Sequence, residues 1–90
     1  MFNEIERKFN ESVIFMNNYN NLDTLSEDEK LSLYKYFKQA MFGDCNIPQP
    51  YFFQLVKYKK WEAWNSINGM SKETAMSHYR HIVEFIKMKN

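Results

Sequence analysis

Lysines alternate with aromatic rings twice in the middle of this chain, in Leu33-Tyr34-Lys35-Tyr36-Phe37-Lys38 and in Lys57-Tyr58-Lys59-Lys60-Trp61-Glu62-Ala63-Trp64. An ammonium group is a point charge for a phosphate, and a ring offers a face for a base, so the mixture suits a nucleotide-like ligand. Tyr34 and Lys38 lie four residues apart, so on a helix a hydroxyl and an ammonium point the same way and can reach one phosphate. Tyr34 also falls on an apolar stripe, so spacing alone leaves it open between core and ligand contact. Lys59-Lys60 before Trp61 is a second cationic point, or a surface lysine pair beside a core tryptophan, which spacing alone favours. Trp61 and Trp64 read as core or pocket wall. Tyr79 faces inward on its segment, where a tyrosine usually finds a hydrogen-bond partner, and a structural role is its default.

Other chemistry is poorly supported. His78, His81 and Glu84 follow one another at three-residue steps, but a metal site needs further donors, and the single cysteine, Cys45, lies in a distant loop. These residues read as an exposed helix face, and no metal is expected. No nucleophile stands beside a base and an orienting acid, and no glycine-rich phosphate loop is present. No catalytic residue and no cofactor are therefore expected.

Ninety residues, 44% of them hydrophobic and 18% aromatic, suffice for one domain with a modest core, here residues 1–90. A lone cysteine leaves no internal disulfide and favours a reducing compartment, hence a cytoplasmic location. Net charge is only +1, which argues against a general nucleic-acid coat. Its distribution is uneven: residues 1–33 carry −4, residues 34–61 carry +4 and residues 62–90 carry +1. The positive charge thus falls on the aromatic middle, as an anion site requires and as an ordinary solvated lysine face also would. The start, Met1-Phe2-Asn3-Glu4-Ile5-Glu6, lacks the pattern of a signal peptide, and the longest apolar run, Val13-Ile14-Phe15-Met16, is too short to span a bilayer.

The elements that must position these residues read as helices, because two glycines and two prolines punctuate long segments of 3.6-residue period. Ile5, Phe9, Val13 and Met16 share one face of a first helix, which fades in the asparagine-rich stretch 17–21. Ser26 and Glu29 form a capping box for a second helix, whose face runs through Leu33, Tyr34, Phe37 and Met41. Gly43 can take the left-handed conformation that ends it. A loop with Pro48 and Pro50 follows, and residues 51–56 are either a connector or an early turn. A third helix covers about residues 57–68, closed by Gly69. Ser71 caps a fourth, with Ala75, Tyr79, Ile82, Val83 and Ile86 buried.

Four stretches resemble the acyl-CoA-binding protein family, in the family's order and with nearly its spacing. They are Phe9-Asn10-x-x-Val13-x-Phe15, Tyr34-x-x-Phe37-Lys38-Gln39-Ala40-x-x-Gly43-Asp44-x-Asn46, Lys60-Trp61-Glu62-Ala63-Trp64-Asn65 and Ser71-Lys72-Glu73-x-Ala75-Met76-x-x-Tyr79. The resemblance implies an all-α fold, a four-helix bundle in up-down-down-up arrangement. It implies non-enzymatic, one-to-one binding of long-chain acyl-CoA for intracellular transport and buffering. Tyr34, Lys38 and Lys60 would hold the CoA phosphates, Tyr79 would line the adenine and ribose region, and Phe9, Val13 and Leu31 would form the acyl groove. A monomer with no nucleic-acid partner and at most transient membrane contact follows from the same likeness. The alternative is a small helical protein-interaction module working through Tyr51-Phe52-Phe53 and the tryptophans. The chain departs from the family at Met41-Phe42, where Thr-Val is usual, at Phe37, where tyrosine is common, at Tyr51, where glycine is frequent, and at Asn17, where a basic residue is often found. Its first loop is about two residues longer than in compact members.

Overall fold

A computed structural model describes residues 3–89; Met1 and Phe2, part of the stretch read as lacking a leader, lie outside the described residues. Four α-helices form an up-down-down-up bundle: α1 (Glu4–Asn17), α2 (Glu27–Phe42), α3 (Leu55–Asn65) and α4 (Lys72–Lys89), with one 3-10 turn at Leu22–Thr24. Among the described residues there is no strand. Local chemistry sets the helix starts. Asn3 accepts the Glu6 amide at 2.8 Å at the head of α1. At α2 the capping box closes both ways: the Glu29 amide donates to Ser26 Oγ at 3.0 Å, and the Ser26 amide donates to Glu29 Oε1 at 2.8 Å. Ser71 Oγ accepts the Thr74 amide at 3.1 Å before α4.

Helix α4 is the spine. It packs against α1 and α2, while α3 leans on α2 alone. The core gathers Phe9, Ala40, Ala75, Tyr79 and Val83, with Leu33, Tyr36 and Phe37 packed against it. The inward face of α2 is thus Leu33, Tyr36, Phe37 and Ala40, at helical spacing. Met41, expected inside, is 47% exposed, because it follows Ala40 by 100° around the helix and falls outside that stripe. Ile5, on the face of the buried Phe9 but in the first turn of α1, is exposed as well. Helix α3 begins at Leu55 and ends at Asn65, two or three residues earlier than expected at each end, and is followed by a turn from 66 to 69 that includes Gly69.

One buried polar residue joins three segments. Gln39, fully buried on α2, donates from Nε2 to Asp44 Oδ1 and to the Met70 carbonyl, both at 2.9 Å. Its Oε1 accepts the Trp64 indole N–H at 3.1 Å, and the same N–H reaches the Gly43 carbonyl at 2.9 Å. Asp44 Oδ1 also accepts the Gly69 amide at 2.7 Å. These two amide contacts hold the Asp44 carboxyl below the usual range, the backbone one most strongly. Gly43 has φ +81 with ψ −149, a positive φ that favours glycine, although ψ lies away from the left-handed helical value expected.

Candidate functional site

The second helix carries Lys30, Tyr34 and Lys38 four residues apart, on one line facing α3 and α1. Tyr34 lies between two cations: the Lys60 ammonium from α3 stands 5.3 Å from its ring centre, and the Lys38 ammonium stands 5.7 Å away. Lys38 also approaches the rings of Phe42 at 5.0 Å and Trp64 at 5.6 Å. No carboxylate forms an ion pair with Lys30, Lys38 or Lys60 among the described residues. The nearby Lys59 differs, since Glu27 lies 3.8 Å from it. Two unneutralised ammonium groups at one ring, with Lys30 lining the same groove, make a site for a multiply charged anion.

Below these cations lies a groove of about 490 Å³, a size typical of small-ligand sites. Val13 and Asn17 of α1 form one wall, Leu33, Tyr34 and Phe37 of α2 the other, and Tyr79 of α4 the base, with Lys30 and Lys60 at the rim. Beyond Lys30 and Lys60 a smaller recess of about 240 Å³ continues between Leu31, Val56 and Lys59. Tyr79 is 5% exposed and lines the base of the groove. Its ring packs edge-on against Phe9 at 5.3 Å. Burial pushes the Tyr79 hydroxyl up to about 12, and burial, with a smaller contribution from Cys45, pushes the Tyr34 hydroxyl up. Both therefore stay protonated and can donate.

The structure thus brings Val13, Tyr34, Lys60 and Tyr79 to one groove, with Lys38 against the Tyr34 ring at its end. Phe9 does not line it: the ring is 2% exposed and supports Tyr79 and Phe37 from beneath. Leu31 faces the adjoining recess instead. Sequence reasoning missed Lys30 and Leu33. Lys30 closes the acidic run Glu27-Asp28-Glu29, which hid it, although its four-residue step to Tyr34 was a usable signal. A different groove, about 400 Å³ between α2 and α4, presents Asp28 and Glu29 with His78 and His81, and its carboxylates oppose an anion.

The family model described as Acyl CoA binding protein matches residues 6–83. The chain belongs to the acyl-CoA-binding protein family. It is 40% identical over 81 residues to the Acyl-CoA-binding domain-containing protein 6 homolog of Dictyostelium discoideum, which covers 89% of this chain but only 28% of that longer protein. It is 49% identical over 63 residues to Diazepam-binding inhibitor-like 5 of Rattus norvegicus, covering 70% of this chain and 72% of that one. The crystal structure of ACBP from Moniliophthora perniciosa superposes with a TM-score of 0.86 at 36% identity, over 93% of this chain and 81% of that chain. The acyl-CoA-binding protein fold accounts for the long α2–α3 connection, which lets α3 lie beside α2 and carry Lys60 to the Tyr34 ring.

Proposed function

We propose that this chain binds long-chain acyl-CoA one to one, without a chemical step, and buffers and carries it as a cytoplasmic monomer. The observation that carries the reading is the set of ammonium groups without carboxylate partners, Lys30 and Lys60 at the rim of an apolar groove and Lys38 against the Tyr34 ring. Lys60, Lys38 and Tyr34 hold the CoA phosphates, chiefly the one on the ribose 3′ position. Tyr79 donates to the adenine and ribose region. Val13, with Leu33 and the neighbouring Leu31, takes the acyl tail, and Phe9 supports the groove from below.

The physical balance is consistent. Each buried methylene contributes about 0.8 kcal/mol. Each charge-assisted hydrogen bond to a phosphate adds about 1.5–3 kcal/mol. Their sum exceeds the association cost of several kcal/mol by enough for nanomolar binding. The test is a calorimetric titration with palmitoyl-CoA, free CoA, palmitate and a single-stranded oligonucleotide. Palmitoyl-CoA binds far more tightly than either of its halves, at a stoichiometry of one, and the oligonucleotide does not compete. Equal affinity for all three small ligands, or tighter oligonucleotide binding, would refute the reading.

A further inference from the structure

The α2–α3 connection ends in three consecutive exposed rings, Tyr51, Phe52 and Phe53, which are 71%, 78% and 67% exposed. They hold one another: Tyr51 and Phe53 stack at 5.4 Å with their planes 4° apart, and Phe52 meets Phe53 edge-on at 5.7 Å. Leu55 and Val56 follow, also exposed. An apolar surface of this kind on a folded domain marks a contact with something else.

The charges around it select the partner. Residues 45–61 contain no acid, and Lys57, Lys59 and Lys60 follow the rings along the chain, all exposed. Lys59 is paired with Glu27 and the Lys60 ammonium lies over the Tyr34 ring, whereas Lys57 has no carboxylate partner among the described residues. Projecting aromatic and aliphatic side chains followed by exposed lysines match the interface of an anionic bilayer, where rings sit at the depth of the headgroups and lysines meet the lipid phosphates and carboxylates. We infer that residues 51–60 form a membrane-docking surface for anionic phospholipid.

The placement has a functional sense. Val56, Lys59 and Lys60 border the recess that joins the groove, so docking sets the mouth of the groove against the bilayer. The surface itself stands on its own residues and needs no ligand in the groove.

The test is co-sedimentation of the full chain with phosphatidylcholine vesicles, with and without phosphatidylserine. The parent pellets with the serine-containing vesicles, is released by high salt, and stays largely in the supernatant with phosphatidylcholine alone. The double variant Phe52→Ser, Phe53→Ser lowers the partition coefficient about tenfold or more, and Lys57→Ala lowers it on anionic vesicles only. Melting temperature and palmitoyl-CoA affinity stay unchanged in these variants. A parent that ignores both vesicle types overturns the inference, as does a double variant that binds like the parent or equal binding with and without phosphatidylserine. A parent dimer that the double variant dissolves, without vesicle binding, would instead make the rings a contact between two copies. Failure of acyl-CoA binding leaves the vesicle result standing, so the two readings fail separately.

Discussion

The Lys60 ammonium on α3 lies 5.3 Å from the centre of the Tyr34 ring on α2, and this contact joins the two helices at the mouth of the groove. Lys38 approaches the same ring from its own helix at 5.7 Å. Contacts of this kind contribute about 0.5–1 kcal/mol at exposed sites, enough to orient an ammonium but too little to hold a fold together.

Lys60→Ala should therefore leave melting nearly unchanged while weakening palmitoyl-CoA by about 10- to 150-fold, or ~1.5–3 kcal/mol. Much of that loss should disappear for a ligand lacking the 3′-phosphate, which never makes the contact. Lys57→Ala is the control and should cost little in this assay. Unaltered palmitoyl-CoA binding by Lys60→Ala would remove Lys60 from the phosphate site.

Tyr79→Phe separates the ring from the hydroxyl. The substitution keeps the ring that packs on Phe9 and removes only the hydroxyl of a groove-lining residue, so folding stability should change by less than about 1 kcal/mol. Acyl-CoA affinity should fall several-fold, roughly the value of one hydrogen bond. A large drop in melting temperature would show that the hydroxyl serves the fold instead.

Gln39→Ala should be among the costly substitutions, at about 2–4 kcal/mol, since it empties a buried site and removes three hydrogen bonds. Urea unfolding measures it directly. A loss below 1 kcal/mol would mean that water replaces the amide without difficulty.

Tyr79 and Asp44 each contribute to one edge of the pH-stability profile. Tyr79 has a pKa raised by burial from 10.0 to about 12. Its contribution is complete below pH 10 and is lost as pH climbs toward 12, so Tyr79→Phe should flatten the alkaline limb. Asp44 is shifted the other way, below 3.8, by the Gly69 amide and then by Gln39. Its contribution is present above that ordinary value and is lost as pH falls through the lowered one, so Asp44→Asn should flatten the acid limb. Thermal melts of the parent and both variants across the two windows check the signs.

What the sequence made legible was mostly local. The Ser26-Glu29 box, the Ser71 cap and the end of α1 among asparagines each depend on neighbours within one turn, and all stand where the pattern puts them. Long-range choices were less visible. Whether Phe9 lines the groove or lies beneath it depends on Tyr79, seventy residues away along the chain. Met41 or Tyr36 as the inward residue of α2 depends on which side α4 takes. Gln39 reads as an unremarkable helix residue until Met70 and Trp64, 31 and 25 residues distant, bring their polar groups to it. Lys38 and Tyr34 were visible as a helical pair; Lys30 was masked by the acids before it.

Since α4 alone holds both walls, the groove behaves as a clasp. No Cα of α1 comes within 8 Å of one in α2, and side chains such as Phe9 and Phe37 span the gap. The two jaws can part by small rotations about their separate seats on the fourth helix, with only those side-chain contacts to yield between them. Chains of different thickness can then enter at little cost, and whatever fills the gap fastens the amino-terminal helix to its neighbour. Amide hydrogens of the first helix should be the ones whose exchange slows most when the clasp is filled.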